Sequence, residues 1–145
     1  MMPPWLTHDT LDTSILLVFL LMTLMTLWII TERLWFFAQL EYAQFSREDS
    51  LELALTRYLS MLSALASNAP YVGLLGTVLG IMMALYEVGM SGQLDPNKIM
   101  IGLALALKAT ALGIGLAIIG MFAVNLLMRR VDAIKVAWRV TQNAD

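Results

Sequence analysis

Three long apolar runs constrain this sequence of 145 residues more than any other feature. They lie at about 14–37, 61–87 and 99–128, and about 20 mainly apolar residues are enough for a helix to cross the hydrocarbon core of a bilayer. The chain is 59% hydrophobic and only 14% charged, whereas a soluble domain usually has about 25% charged residues. We therefore expect an all-α membrane protein with three transmembrane helices in a lipid bilayer.

Lysine and arginine are concentrated on one side of these runs. A segment at about 38–60, counted with Arg33, carries three of these residues, and a tail at about 129–145 carries four. The loop between the second and third runs carries only Lys98. The positive-inside rule therefore places the segment and the tail in the cytoplasm and the N-terminus outside. We predict a single membrane domain over 1–145, in which both cytoplasmic parts are helical extensions.

Few side chains in this sequence offer catalytic or metal-binding chemistry. There is no cysteine, and His8 is the single histidine, so a thiol site is excluded and a catalytic triad or metal cage has little to build on. No basic cluster indicates a nucleic-acid partner. We expect a protein that is not an enzyme, with no catalytic residue, no metal site and no cofactor.

The 38–60 segment contains an amphipathic pattern. Apolar residues recur at helical spacing at Leu51, Leu55, Tyr58 and Leu62, which predicts one apolar face of a helix. Such a face either packs on its own subunit, which we favour, or offers a docking surface.

Small residues line one side of the second and third predicted helices. Gly76 and Gly80 form a G-x-x-x-G pair with Gly73 on the same side, and Gly113 belongs to a small stripe of the third helix. In lipid, such residues allow helices to approach closely. The stripes either pack against each other within the chain or form an oligomer or pore surface, and both interpretations stay open. Pro70 lacks an N–H donor and is predicted to kink or restart the second helix.

Three polar residues stand out within the apolar runs. Thr77 lies on the glycine face of the second helix and Thr110 on the small stripe of the third, both near the midplane of the bilayer. Their hydroxyls either hydrate a conduction path or bond back to a carbonyl one turn earlier. Lys108 lies at similar depth but points about 160° away from Thr110. A charge there is costly, so Lys108 pairs with an acid of another subunit, snorkels outward or is neutral.

Two stretches of the second and third predicted helices, NAPYVGLLGTVLGIM and ALALKATALG, resemble signatures of the ExbB/TolQ/MotA proton-channel family. The stretch 68–82, NAPYVGLLGTVLGIM, is similar to the second-helix signature of ExbB, and the stretch 104–113, ALALKATALG, is similar to the third-helix signature of its short subtype. The Glu-Arg pair that ends at Arg33 and the residue Asn125 also match family positions. The likeness covers nearly the whole chain.

This resemblance implies a homopentamer around the single transmembrane helices of an ExbD-like partner in the bacterial inner membrane. The complex would couple the proton motive force to a TonB-like protein, and so to outer-membrane uptake of iron chelates and cobalamin. Thr77 and Thr110 match polar positions that face the channel, and Pro70 matches a proline at the start of the second helix. Two departures are Leu105, where many members carry a glutamate, and Ile119, where they carry a proline.

Without a glutamate at position 105, this chain has no obvious mid-membrane carboxyl group to relay a proton. Our hypothesis from the sequence is that the essential carboxylate lies on the partner, with Thr77 and Thr110 supplying hydroxyls and Lys108 tuning the electric field. A TolQ-like role in envelope integrity is the alternative within the family. A passive membrane scaffold is the alternative from another class.

Overall fold

The computed structural model describes residues 8–40, 47–92 and 95–143, and in these ranges the chain is helical and has no β-strand. The helices are α1 (His8–Gln39), α2 (Glu48–Thr56), α3 (Leu59–Ser91) and α4 (Pro96–Gln142). Three stretches, carried by α1, α3 and α4, are long and apolar enough to cross a membrane. The predicted all-α fold with three transmembrane helices is therefore confirmed, while the orientation across the membrane stays a prediction. Each long helix extends beyond its predicted apolar run, and α4 continues through the tail as expected.

The ends of α3 and α4 have recognisable caps. Gly92 follows α3 with a φ of 62°, a left-handed conformation that glycine adopts without a Cβ penalty. Asp95 precedes α4 and accepts a hydrogen bond from the Asn97 N–H at 3.0 Å, and Pro96 occupies the first turn. Proline is favoured there because its missing N–H has no partner within the helix in any case. These residues set where α3 stops and α4 begins.

Glycines bring α3 and α4 into close antiparallel contact. A Cβ added at Gly80 would lie 2.7 Å from the Ala106 Cβ, and one added at Gly113 would lie 2.5 Å from the Ala69 carbonyl oxygen. Both distances are shorter than atoms tolerate, so any larger residue would force the helices apart. The two small stripes thus pack against each other within the chain, whereas a role in oligomer contacts stays a prediction. The contacts Gly73–Ala109, Gly76–Ala109, Gly102–Ala84 and Gly120–Ala66 continue the same seam.

The break in this part of the chain does not fall at the proline. Pro70 lies inside a continuous α3, so the prediction that the helix restarts there is wrong, and a kink stays a prediction. Proline is tolerated within transmembrane helices because neighbouring groups satisfy the backbone atoms that it frees. The helical path is instead interrupted at Arg57 and Tyr58, between α2 and α3.

A compact apolar core lies at the α2 end of the bundle. Leu51, Leu55 and Leu62 are fully buried and belong to one cluster with the α1 residue Ile29 and the α4 residue Leu127. Burying a leucine side chain stabilises the fold by about 1.5–3 kcal/mol. The amphipathic face of the 38–60 segment therefore packs on its own chain, as favoured from the sequence.

Arg33 joins α1 to this core from the side. Its side chain is only 2% exposed, and its guanidinium donates to both carboxylate oxygens of Glu32, at 2.7 and 3.2 Å, and to the Ala54 carbonyl at 2.8 Å. The same group lies 4.9 Å from the ring centroids of Phe36 and Tyr58. A buried guanidinium needs such partners to offset the loss of hydration. Arg33 thus holds the last turn of α2 against α1.

Candidate functional site

The fold brings Thr77 of α3 and Thr110 of α4 together, as their matched depth in the sequence predicts. The two hydroxyl groups are hydrogen-bonded to each other across the helix seam. Thr77 is 8% exposed, and Thr110 is half-buried. These two residues, which we call the threonine pair, form a shared polar spot in the mainly apolar contact between α3 and α4.

Two backbone carbonyls complete the surroundings of the threonine pair. The Thr77 Oγ1 lies 3.0 Å from the Ala106 carbonyl oxygen and 3.3 Å from that of Gly73. The Thr110 Oγ1 lies 3.2 Å from the same Gly73 oxygen. The bond from Thr77 to Gly73 is the one-turn back-bond expected for an isolated threonine. The other contacts cross between the helices, so back-bonding does not account for the arrangement.

The hydrogen count of the threonine pair allows two arrangements. Each hydroxyl has one hydrogen to donate and two lone pairs to accept. In the first arrangement Thr77 donates to Thr110, which donates to the Gly73 carbonyl. In the second, Thr110 donates to Thr77, which donates to the carbonyl of Ala106 or of Gly73. The two arrangements run in opposite directions and use the same heavy-atom positions.

Glycine is the reason that the threonine pair is so close to backbone. A Cβ at Gly73 would lie 2.8 Å from the Ala109 carbonyl oxygen and 3.0 Å from the Thr110 Cα. Only a residue without a side chain leaves Thr110 room to reach the carbonyl of Gly73. Sequence reasoning selected both threonines and this glycine but missed the carbonyls, because backbone acceptors carry no residue-type signal.

Lys108 lies on a different surface, in agreement with the helical-wheel prediction. Its side chain is exposed in the isolated chain and lines a groove with Leu105 of α4, Ile15 and Leu16 of α1, and Gly76 of α3. Among the residues that the structure describes, none forms an ion pair or hydrogen bond with Lys108. The structure therefore separates Lys108 from the threonine pair.

The chemistry of the threonine pair is limited to hydrogen bonding. Hydroxyl and carbonyl groups reorient and pass hydrogen bonds, but neither holds a proton near neutral pH. Within the described ranges, no group of three His, Cys, Asp or Glu residues is placed to hold a metal ion. A carboxylate that takes up and releases protons at this pair would have to come from elsewhere.

The family model and the relatives that match this chain all point to one family of membrane proteins. The model of the MotA/TolQ/ExbB proton channel family matches residues 39–139. A protein named biopolymer transport protein ExbB from Helicobacter pylori is 43% identical over 132 residues, which are 91% of each chain. One of the same name from Aquifex aeolicus is 41% identical over 130 residues, 90% of this chain and 88% of the relative. A Tol-Pal system protein TolQ from Haemophilus influenzae is 43% identical over 74 residues, 51% of this chain and 32% of the relative. No solved structure matches this chain.

Proposed function

Because this chain belongs to the MotA/TolQ/ExbB proton channel family, we propose that it is the proton-channel subunit of a TonB-energising complex in the bacterial inner membrane. The ExbB-named relatives support this branch, since they match this chain over about nine-tenths of both lengths. The TolQ-named relative matches only half of this chain. A TolQ-like role in envelope integrity is therefore the second candidate.

In this proposal, a partner protein supplies the carboxylate that the threonine pair does not contain. We propose a ring of copies, a pentamer by resemblance, around the single transmembrane helices of an ExbD-like partner, which transmits work to a TonB-like protein. The observation that carries this proposal is the threonine pair, which has hydrogen-bonding hydroxyls and no acid. A carboxylate on the partner helix would take up the proton and accept a hydrogen bond from Thr110, the more exposed member of the pair.

The two hydrogen-bond arrangements of the threonine pair suggest how it accompanies the protonation and deprotonation of the partner carboxylate. While the partner carboxylate is charged, Thr110 donates to it, and Thr77 donates to Thr110 or to the Ala106 carbonyl. When the carboxyl group is protonated, Thr110 accepts from it and donates back to the Gly73 carbonyl. The hydroxyls thus satisfy both charge states of a moving acid with little displacement of their own. Lys108 contributes at most through its long-range field, because it lies on another surface.

The experiment that tests this role compares Thr110→Val with Thr110→Ser, each co-expressed with the ExbD-like partner. Valine has the shape of threonine without its hydroxyl, and serine keeps the hydroxyl. Losing a hydrogen bond of about 1.5 kcal/mol in the coupling step lowers its rate about tenfold, so we expect the valine variant to lose about 90% of TonB-dependent uptake of an iron chelate. The serine variant should retain most of the uptake.

Two controls define the outcome. Native mass spectrometry of the extracted complex should show the same stoichiometry for both variants, which separates coupling from assembly. Uptake at the unsubstituted level in Thr110→Val would reject the role of the threonine pair.

Complementation separates the alternative functions. If the chain restores envelope integrity in a strain that lacks TolQ, and does not restore TonB-dependent uptake in a strain that lacks ExbB, the TolQ-like function is correct. A complex that performs no proton-dependent work in either assay would indicate a passive scaffold.

A further inference from the structure

The last part of α4 carries exposed apolar residues where the helix is no longer in the membrane. Five of the fourteen residues at 129–142 are charged, so this stretch, which we call the α4 tail, lies in water rather than in hydrocarbon. It extends about 20 Å past Arg129. Val136 and Val140 are nevertheless 59% and 64% exposed, although they lie one turn apart on the same side of the helix.

This exposed side is opposite the side of the α4 tail that packs within the subunit. Val131 and Trp138 are buried in the core at the α2 end, and their spacing of seven residues places them on one side of the helix. At 100° per residue, Val140 is turned 180° from Val131. A helix in water that is apolar on two opposite sides needs a cover on both of them.

Four apolar residues on the outer side of the α4 tail enclose a hole. Ala133, Val136, Ala137 and Val140 follow the spacing i, i+3, i+4, i+7, which is the set of four residues that surrounds one inserted side chain when helices pack knobs into holes. Three of them are exposed and Ala137 is half-buried. We call this set the tail hole, and its size suits one large apolar side chain.

A matching knob lies on α2. Leu53 is 73% exposed, and it stands between Leu51 and Leu55, which are both fully buried in the core. At 100° per residue, a position two residues from each of them is on the outer side of α2. Since the inner side of α2 packs against the α4 tail, the two helices form a layer with the knob on one surface and the tail hole on the other.

The knob and the tail hole lie at about the same height along the bundle. Glu52 forms an ion pair with Lys135 at 3.0 Å, so the following residues, Leu53 and Val136, are within about one helical turn of each other in height. Copies that span one bilayer in the same orientation are related by rotation about the membrane normal, which leaves heights unchanged. Leu53 of one copy is therefore level with the tail hole of the next.

The charges near the two surfaces match in sign. The α2 helix runs towards the membrane, because α3 continues it after Tyr58, whereas α4 runs away from the membrane. Asp49 and Arg57 lie one turn before and one turn after Leu53, and exposed Asp132 and Arg139 lie on either side of Val136 in the opposite order. An antiparallel contact places each acid near a cation of the other copy, and such charges set partner choice and orientation.

We propose that Leu53 of one copy docks into the tail hole of the next copy, so that α2 and the α4 tail alternate around a ring outside the membrane. The knob and the hole are different surfaces, so the contact is head-to-tail, and its repetition closes a ring. The inference rests on the proposed function for the ring of copies. It goes further by naming the residues that join the copies beyond the bilayer.

Cross-linking in membranes tests the contact, because the chain has no cysteine of its own. The variant with Leu53→Cys and Val136→Cys is treated with a short bifunctional thiosulfonate. We expect a ladder of products at successive multiples of the monomer mass, because each copy offers both surfaces. The control combines Leu53→Cys with Arg130→Cys, since Arg130 is exposed but turned 120° around α4 from Val136. The control should give at least fivefold less of the ladder.

Three results of the cross-linking would overturn the proposal. Equal ladders in the two double variants would mean that the reagent captures chance encounters. Dimers from Val136→Cys alone, without a ladder in the double variant, would mean that two tails meet through the same surface. A product at monomer mass would place Leu53 and Val136 on the same side of one subunit.

A pair of substitutions at the knob tests its contribution to the ring. Leu53→Asn should leave the helicity of the subunit unchanged, because the side chain is exposed there. In native mass spectrometry, however, its ring should dissociate on at least tenfold less dilution, because each contact loses the burial of a leucine. Leu53→Met keeps an apolar knob and should retain the ring.

The same spectra separate this contact from the proposed function. If Leu53→Asn forms a ring as stable as that of the unsubstituted chain, the docking of Leu53 is wrong, while the ring and the role of the threonine pair still stand. If the unsubstituted chain forms no ring with its partner, both the docking and the proposed complex are wrong.

Discussion

Replacing Gly113 by alanine tests the close contact between α3 and α4 most directly, because this position has the least room for a Cβ atom. The new Cβ would lie 2.5 Å from the Ala69 carbonyl oxygen and 3.0 Å from the Gly73 Cα. Both neighbours are backbone atoms, so no side-chain rotation relieves the clash. Gly115, two residues later on α4, meets nothing within 4 Å. The pair of variants Gly113→Ala and Gly115→Ala therefore adds the same methyl group to the same helix with opposite steric consequences.

The expected destabilisation by Gly113→Ala follows from the distance that the two helices must move apart. A carbon atom approaches a carbonyl oxygen comfortably at about 3.3 Å, so α3 and α4 must separate by roughly 0.8 Å at Gly113. Such overpacking typically costs about 1–3 kcal/mol, and stretching the hydrogen bonds of the adjacent threonine pair adds about 1 kcal/mol. The higher helix propensity of alanine offsets up to about 1 kcal/mol of this destabilisation. We expect Gly113→Ala to lose about 1–3 kcal/mol and Gly115→Ala to be unchanged or slightly more stable.

The assay is reversible unfolding in mixed micelles, in which a denaturing detergent is titrated and helicity is followed by circular dichroism. The free energy of unfolding of each variant is compared with that of the unsubstituted chain under identical conditions. If Gly113→Ala were as stable as the unsubstituted chain, the close α3–α4 contact at this position would be wrong. A loss in both variants would instead place Gly115 in a contact between subunits.

The same unfolding assay separates two charged contacts of the α2 end. Arg33→Met should lower the free energy of unfolding by about 2–4 kcal/mol, because it leaves the Ala54 carbonyl without its donor and removes two cation–π contacts. Arg57 is exposed and makes only one such contact, with Tyr58. Arg57→Met should therefore change the free energy of unfolding by less than about 0.5 kcal/mol. Similar values for the two arginine variants would refute the idea that Arg33 holds α2. Lys135→Ala should lose less than about 1 kcal/mol, since its ion pair with a half-exposed glutamate is screened by water; a larger loss would mean that this pair positions the tail.

Several site residues can be predicted from the sequence because they are of a type that is unusual within an apolar run. Thr77 and Thr110 are hydroxyls within apolar runs, and a rise of 1.5 Å per residue is enough to predict that they lie at a common depth. Gly73 belongs to a small stripe that the sequence shows, but its carbonyl becomes part of the site only because α4 packs against it. Arg33 ends an apolar run and resembles an ordinary interfacial charge, although it is among the most buried side chains of the described chain.

The number of membrane-spanning helices, their approximate extent and their small-residue stripes can be read from the sequence alone, because bilayer thickness acts on each segment locally. Which surfaces face each other is visible only in the folded chain. The fold packs the stripes of α3 and α4 against each other, places the helix break at Arg57 and Tyr58 rather than at Pro70, and joins the two threonine hydroxyls. These features depend on contacts between residues far apart in the chain, and such contacts leave no periodic pattern in the sequence to read.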